Sequence, residues 1–318
     1  MELHAAGLNA WGQLRFEKLE ANEEPDDIST FTCVLSDDKI IHVRPFFSYT
    51  VVDTKTSGLL SAGLVPKERL ALRTAMTKTT YSHFAEASNG IVVVHDGDQS
   101  VTQHPSLPSL LSNNPPSHTF PNFPNITQLV SFDTGFAALS STGAVYTWGD
   151  ERYAACLGRE PTSESPASTP SLVSDLTNLP TGPITKLSAG GYLVAALTAG
   201  NDLYCWGHPG RTPASILSEV PMTESASPVV IDEFDIADVA VGEAHLVALT
   251  TTGEVFVLGD NSNGQLGLGP QVTAAAGWTR VSIGVDKELS GKGLSETKVV
   301  VGVAAGPRNS FLIVQNQT

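Results

Sequence analysis

The sequence predicts an all-β fold, a closed β-propeller in which six similar blades follow one another along the chain. Three observations predict it. A pattern of short strands recurs at a period of about 50 residues, which is typical of repeat architectures. A Gly ends the third strand of each clear repeat, and the last repeat is completed by the first residues of the chain.

The clearest repeat covers residues 236–269. The runs from Ile236 to Val241 and from His245 to Thr250 are apolar and rich in β-branched residues, which predicts two antiparallel strands. A Thr-Thr-Gly turn leads to a third strand, Glu254 to Val257. Gly259 then ends that strand, and the Asp-Asn-Ser-Asn-Gly segment that follows is suited to turns with positive φ.

The same pattern recurs elsewhere in the chain. Residues 187–207 align with residues 239–259, and residues 129–149 align with both, except that Phe132 replaces the first Gly. Weaker copies cover residues 43–63 and 85–103. The Gly residues that mark the ends of the first or third strands are expected to be structural: Gly149, Gly190, Gly207, Gly242, Gly259 and Gly306.

The two ends of the sequence each supply half a repeat. Residues 299–314 contain only the first two strands, and residues 3–16 resemble the missing third strand, with Gly7 in the place of Gly259. Such a repeat closes the ring and removes exposed sheet edges. We therefore expect one domain over residues 1–318, with degenerate repeats and insertions within residues 64–125. Six blades are favoured, and seven remain possible.

Two segments are expected to lie outside the blades. Pro66 is suited to the first turn of a short surface helix over residues 65–76. Residues 105–125 are rich in Pro, Ser and Asn, which predicts an excursion from one rim of the ring and not a strand pair.

Residues 242–267 read Gly-x-x-x-His-x-x-Ala-Leu-Thr-x-x-Gly-x-Val-x-x-x-Gly-x-Asn-x-x-Gly-Gln-Leu-Gly. This motif resembles the repeat of the regulator of chromosome condensation family. The resemblance covers six units from Leu3 to Val314, strongly in the last four. It implies a propeller that binds other proteins; the founding family member is an exchange factor for a nuclear GTPase and uses a β-wedge insertion and a basic tail.

Composition limits the possible functions. The formal net charge is −15 and the pI is about 4.8, so direct binding to nucleic acid is not expected. No segment predicts a membrane span or a secretory signal, and we expect an intracellular protein of the cytoplasm, the nucleus or both. Three Cys residues lack metal-ligand spacing, and Cys205 is expected to be a buried thiol.

Partner binding is expected on the side where three long connections leave the repeats, at residues 150–183, 208–235 and 260–298. Binding residues are often on loops that a rigid scaffold holds. The alternative is that these connections are merely tolerated insertions. Trp278 is the candidate interface anchor. The candidate partner-binding residues are Asp150, Glu151, Arg152, His208, Arg211, Asp260, Asn261, Asn263 and Trp278.

Several conspicuous residues have a structural interpretation beside a functional one. Asp150, His208 and Asp260 occupy equivalent positions and could converge as a metal or acid–base cluster, but Asp after a strand-ending Gly is also ordinary turn chemistry. His245 is expected to hydrogen-bond between blades. Equivalent Trp residues, Trp148 and Trp206, are expected to pack between blades.

No catalytic, phosphate-binding or metal-binding motif is found in the sequence. We therefore expect a non-enzymatic protein without a cofactor or metal, monomeric, and acting as a scaffold or regulator in a larger chromatin- or translation-linked complex. The alternative is a guanine-nucleotide exchange factor for a small GTPase, although no basic tail or wedge is evident. The acidic segment 17–27 is expected to be a solvated loop or, alternatively, a docking surface for a basic partner.

Overall fold

A computed structural model describes residues 1–17, 25–68, 82–95, 100–210, 214–282 and 297–317. Within these ranges the chain forms six antiparallel sheets, five with four strands and one with three. These sheets are the blades of an all-β propeller, and six blades, not seven, are present. A short helix, α1 (Leu107–Leu111), follows a strand of one blade.

The chain divides into two compact units with three blades each. The first comprises Met1–Val65, Arg211–Glu219 and Ile231–Thr318, and we call it the closing unit. The second comprises Pro66–Gly210 and Val220–Val230, and we call it the middle unit.

The closing unit contains the blade that joins the two ends of the sequence. Its strand order is β2 (Ile28–Ser36), β1 (Glu2–Gly7), β23 (Asn309–Gln317) and β22 (Thr297–Gly306). The other two blades of this unit are β3 (Ile40–Pro45), β4 (Tyr49–Thr54), β5 (Gly58–Gly63), and β18 (Ile236–Val241), β19 (His245–Thr250), β20 (Val255–Asp260), β21 (Ala274–Arg280).

Strand β1 closes the last blade, as the sequence predicts. It pairs with β23 in antiparallel register, with Glu2 opposite Val314 and Gly7 opposite Asn309. The side chains of Leu3 and Phe311 are fully buried in the core of this blade. The backbone groups of β23 are therefore paired with residues that lie some 300 positions earlier in the chain.

The middle unit contains three blades of four strands each. They are β6 (His83–Glu86), β7 (Val92–His95), β8 (Val101–His104), β9 (His118–Phe120); β10 (Ile126–Phe132), β11 (Gly135–Ser140), β12 (Val145–Gly149), β13 (Ser171–Leu172); and β14 (Ile184–Gly190), β15 (Leu193–Thr198), β16 (Leu203–Gly207), β17 (Ser227–Val229).

The second strand of the three clearest blades is buried along its whole length. All six residues of β11, β15 and β19 are buried. Their sequences are continuous apolar or small-residue runs, which suit a strand covered on both faces better than a half-exposed one. These second strands therefore form the core of their blades.

The structure corrects two expectations about the connections. The three long connections contain β13, β17 and β21, the fourth strands of their blades, so they are not merely surface loops. Residues 105–125 contain α1 and β9, where only an irregular excursion was expected. Most of the helix expected over residues 65–76 lies outside the described residues.

Candidate protein-docking site

The residue after the strand-ending Gly makes the same backbone hydrogen bond in five blades. Its N–H donates to a carbonyl oxygen in the turn between the first and second strands of its own blade. The turn and the segment that follows the third strand therefore meet at one end of each of these five blades. We call this end the turn end. The pairs are Leu8 to Arg308 at 2.8 Å, Leu64 to Ser48 at 2.8 Å, Asp150 to Thr134 at 3.0 Å, His208 to Tyr192 at 3.0 Å and Asp260 to Ala244 at 2.9 Å.

This hydrogen bond explains why Gly ends the third strand. A Cβ atom on Gly207 or Gly259 would collide with the carbonyl oxygen that accepts the next residue's N–H, and both residues have positive φ, 143° and 117°. A Cβ atom on Gly149 would likewise lie only 2.6 Å from Thr134 O. A side chain at these positions would force the turn away from the strand.

His245 is structural, and its expected hydrogen bond between blades is present. The ring is fully buried, and its Nε2 lies 2.9 Å from the Ser310 hydroxyl of the neighbouring blade. Burial lowers the pKa of His245 to about 4. Gly242 is needed beside it, because a Cβ there would meet the imidazole. Gly306, at the equivalent position of the next blade, similarly faces Asn309.

The expectations for Gly190, Trp148 and Trp206 also concern packing. Gly190 ends β14, where it pairs with Leu193. Trp206 is fully buried, and its indole N–H donates to Cys156 O at 3.1 Å in the segment that follows the previous blade's third strand. Trp148 is also buried and packs against Phe136, with ring centroids 5.5 Å apart. Both Trp residues belong to the core.

In the middle unit, the exposed Arg152 pairs with the partly buried Asp150 at the turn end. The guanidinium donates to both carboxylate oxygens, at 3.0 Å to Oδ1 and 2.6 Å to Oδ2. This interaction lowers the pKa of Asp150. Glu151 lies beside them and is exposed. A surface pair of this kind stabilises the fold little, so these side chains are available to a partner.

His208 belongs to an aromatic group in the same unit. Tyr153 and Tyr192 stack with centroids 5.0 Å apart, and the His208 ring lies against both. The Nδ1 atom of His208 accepts a hydrogen bond from Gly210 N at 2.9 Å. Arg211, the other candidate from this connection, lies outside the described residues.

The Asn-x-x-Gly-Gln-Leu motif occurs in two loops of the closing unit, and hydrogen bonds within each loop explain it. Asn261 Oδ1 accepts from Leu266 N at 2.7 Å, and Asn9 Oδ1 accepts from Leu14 N at 2.9 Å. The Gln of each motif accepts from the residue two positions earlier, Asn263 or Trp11, at 2.9 Å. Asn261 is buried and holds its own loop, so we leave it out of the candidate binding surface.

Asp260 and Asn263 lie at the surface end of this loop. Asp260 Oδ2 accepts from Gln265 Nε2 at 2.6 Å and from Ser262 Oγ at 2.8 Å. Asn263 Nδ2 donates to Asp27 at 2.9 Å. The side chains of Asp150, His208 and Asp260 are thus each engaged within their own turn, which is the turn chemistry that the sequence allowed as the alternative to a metal or acid–base cluster.

The closing unit has an exposed apolar patch that was not predicted from the sequence. Trp11 and Phe47 pack with ring centroids 5.0 Å apart and are 38% and 46% exposed, and Leu64, beside the Ser48 turn, is 62% exposed. The Arg308 guanidinium lies 5.8 Å from the centre of the Phe47 ring. We call Trp11, Phe47, Leu64 and Arg308 the Trp11 patch. The repeat alignment contained the signal, because Trp11 occupies the position of Asn263.

Trp278 lies in β21, which corrects its placement in a flexible loop. Its backbone N–H donates to Glu219 Oε2 at 2.7 Å, and its side chain is partly buried. The indole nitrogen has no hydrogen-bond partner among the described residues. Trp278 thus lies in a strand that pairs with β20, and its role as an interface anchor stays a prediction.

One group of side chains has the composition of a metal site. Within the described residues, Glu2, His4 and Cys33 each place a ligand-capable atom within 4.8 Å of the others. Lys298 Nζ, however, donates to both carboxylate oxygens of Glu2, at 2.8 and 2.9 Å. The ion pair satisfies Glu2 without a metal ion. The thiols of Cys156 and Cys205 are buried, which raises the pKa of each to about 12.

Two segments of the chain match family models. Residues 142–197 and 236–265 both match the regulator of chromosome condensation (RCC1) repeat. The first of these segments lies in the middle unit and the second in the closing unit, on strands that carry the shared turn ends.

Curated relatives match over part of their length. The Arabidopsis thaliana protein named RCC1 domain-containing protein RUG3, mitochondrial, is 30% identical over 146 residues, which are 45% of this chain and 32% of the relative. The mouse regulator of chromosome condensation is 29% identical over 201 residues, 63% of this chain and 46% of the relative. The matches therefore span less than half of these relatives.

A solved structure shares the fold. The crystal structure of yeast RCC1 (Prp20) bound to Kap60 covers 100% of this chain, with a TM-score of 0.71 and 13% identity, over 89% of the yeast chain. The repeated blades and their common turn ends define a β-propeller built from sequence repeats. Two segments of the chain, residues 142–197 and 236–265, carry regulator of chromosome condensation repeats, and the chain shares the propeller fold of the yeast protein. No helix in the described part of the chain has the length and apolar character needed to cross a membrane.

Proposed function

We propose that this propeller binds another protein at the turn ends of the closing unit, and that it acts as a non-catalytic scaffold or regulator in a larger complex. The observation that supports this most strongly is the Trp11 patch. Three of its side chains are large, apolar and more than a third exposed. Single exposed apolar residues are common on protein surfaces, but a contiguous group is typical of interaction sites.

The composition of the patch fits a protein interface. Trp and Arg are enriched among the residues that contribute most to protein–protein binding, and large aromatic side chains bury much area at a small entropic cost. The patch also rests on a fixed scaffold. Leu8 N, at the end of β1, donates to Arg308 O, and Leu64 N donates to Ser48 O. A partner would therefore meet side chains that are already positioned.

The relatives support the same class of function. The yeast propeller was crystallised with a protein partner, and the mouse relative is named as a regulator of chromosome condensation. We propose a chromatin- or translation-linked complex inside the cell, and a monomeric chain whose residues 1–318 act as one domain. The aromatic and charged turn end of the middle unit, with Asp150, Glu151, Arg152 and His208, is a second candidate surface.

Guanine-nucleotide exchange on a small GTPase is the alternative function. It would also require a protein partner docked on the propeller, so a docking experiment alone does not separate the two. Measurement of nucleotide release from a panel of small GTPases separates the two functions. Acceleration well above the intrinsic rate would identify an exchange factor, and unchanged release would support the scaffold.

The proposal can be tested by photo-crosslinking from defined positions in the full chain. A photoreactive amino acid replaces Phe47 in one variant and Leu172, an exposed apolar residue of β13 in the middle unit, in the control. We expect discrete partner adducts from position 47 in extracts of the source organism and none of these adducts from position 172. Identical adducts from both positions, or none from position 47 in a protein with normal thermal unfolding, would contradict the proposal.

A further inference from the structure

Asp27 contacts the loop that carries Trp11, and within the described residues it has no cationic partner. Asp27 Oδ1 accepts from Asn9 N at 2.8 Å, and its Oδ2 accepts from Asn263 Nδ2 at 2.9 Å. Asn9 is two residues before Trp11 in the same loop. Both donors are neutral, so the hydrogen bonds orient the Asp27 carboxylate but leave its negative charge uncompensated.

Asp260 is held in the same way and is linked to Asp27 through one loop. Its Oδ2 accepts from Gln265 Nε2 at 2.6 Å, while Gln265 Oε1 accepts from Asn263 N at 2.9 Å. Within the described residues, Asp260 and Asp27 form no ion pair. The two carboxylates are thus preorganised by amide groups that are themselves fixed by buried loops.

The one cation of the Trp11 patch is already engaged. Arg308 Nε donates to Glu243 Oε2 at 3.3 Å, and both side chains are about half exposed. Asp27, Asp260, Glu243 and Arg308 together carry three negative charges and one positive charge. The whole chain, at −15, adds a field of the same sign.

We infer that the partner docks through a basic segment that also carries an apolar side chain. Lys or Arg would pair with Asp27 and Asp260, and the apolar side chain would pack on Trp11 and Phe47. The aromatic rings add to the attraction, because cations bind favourably to the face of Trp. The charges would speed association and select the partner, and the apolar contact would hold it. This inference rests on the proposed function and concerns the same surface.

The test uses the full chain and three labelled synthetic peptides of equal length. One contains Lys and Leu, one Lys and Ser, and one Glu and Leu. Fluorescence anisotropy measures the Kd of each. We expect the Lys/Leu peptide to bind at least about tenfold more tightly than either of the others. Raising the salt concentration from about 0.05 M to about 0.3 M should weaken this binding, because the Debye length shortens.

Substitutions assign the binding to this surface. Asp27→Asn and Asp260→Asn remove the charge and keep one acceptor oxygen for the loop, and we expect each to raise the Kd of the Lys/Leu peptide by about threefold or more. Phe47→Ser should raise it as well. Asp175→Asn, at an exposed carboxylate of the middle unit, is the matched control and should leave the Kd unchanged.

Two results would overturn the inference. One is a Glu/Leu peptide that binds as tightly as the Lys/Leu peptide; the other is unchanged binding in Asp27→Asn, Asp260→Asn and Phe47→Ser variants that unfold normally. If crosslinking from position 47 nevertheless captures a specific partner, the proposed function stands and only the partner chemistry is wrong. If crosslinking also fails, the proposed function and the inferred partner chemistry are both wrong.

Discussion

Arg159 lies almost fully buried in the segment after β12 and donates to four backbone carbonyl oxygens. Its acceptors are Ser165 O at 2.8 Å, Thr147 O at 3.2 Å, and Pro166 and Thr169 O, both at 3.1 Å. Burial lowers the pKa of Arg159. The sequence offers no sign of this role, because the acceptors are backbone atoms and any residue type could supply them.

Residue-scale features were predictable where a motif fixes the geometry. The His245 hydrogen bond and the strand-ending Gly residues follow from their repeat positions. Trp11 was missed because it occurs in the least complete repeat, where an aromatic residue replaces the polar Asn263. Its exposure depends on Phe47, which packs beside it from another blade. Such a contact between distant segments has no counterpart in the local sequence.

The pH dependence of stability should include a contribution from His245. Its pKa is lowered to about 4 in the folded state, against 6.5 ordinarily, so the unfolded chain binds the proton more tightly. The stabilisation is complete above pH 6.5 and is lost as the pH falls toward 4. The loss has an upper bound of about 3 kcal/mol for this group. Urea unfolding between pH 7 and pH 4.5 measures it.

A His245→Gln variant separates this contribution from those of other groups. Its free energy of unfolding should fall less steeply over the same pH range than that of the unsubstituted protein. His118→Gln, at an exposed position, is the control and should keep the original slope. Equal slopes in all three proteins would show that His245 does not contribute.

At the scale of single elements, the first three strands of the clear repeats were predicted, whereas the fourth strands β9, β13, β17 and β21 were not. The second strands are long apolar runs that give a clear pattern. By contrast, β13 has two residues and β17 has three, too few for any periodicity to be read. They are strands because they pair with the third strand of their blade, a tertiary effect that outweighs local propensity.

The longest of these fourth strands among the three connections, β21, should be needed for folding. It pairs with β20, with Asp260 opposite Ala274 and Phe256 opposite Arg280, and it buries Ala275. Replacing residues 274–280 with a Gly/Ser linker removes these pairs and should lower the free energy of unfolding by more than about 2 kcal/mol. If the connection were merely a tolerated insertion, the alternative that the sequence left open, its replacement would cause no such loss.

The matched control for that replacement is a segment that carries no strand. Residues 113–116, after α1, are exposed and can be replaced by a linker of equal length. Their replacement should change the unfolding free energy little, because exposed loops tolerate such changes. Comparable denaturant midpoints for the β21 replacement and the intact chain would show that β21 does not stabilise its blade.

At the scale of the whole molecule, the sequence predicted the fold because consistent signals recur at a regular period. Six units and the half-repeats at the two ends favoured six blades with the last one completed by the first strand, and the described residues form six blades with β1 in that place. The docking surface could not be predicted in the same way. It combines Trp11 and Arg308 of the last blade with Phe47 and Leu64 of the β3–β5 blade, so it depends on contacts between segments that are far apart in the sequence.

Closure by β1 should be the strongest single contribution to global stability. Excising residues 2–7 leaves one edge of β23 without its partner and exposes the core positions around Leu3 and Phe311. We expect the melting temperature to fall by at least about 10 °C. Glu2→Ala, which removes the ion pair with Lys298 and the contact with His4 but leaves the strand in place, is the control and should cost less than about 1 kcal/mol. A synthetic peptide of residues 1–9 added to the excised protein should restore part of the lost stability by pairing with β23. A melting temperature within about 2 °C of the intact chain, with no response to the peptide, would show that β1 does not close the propeller in solution.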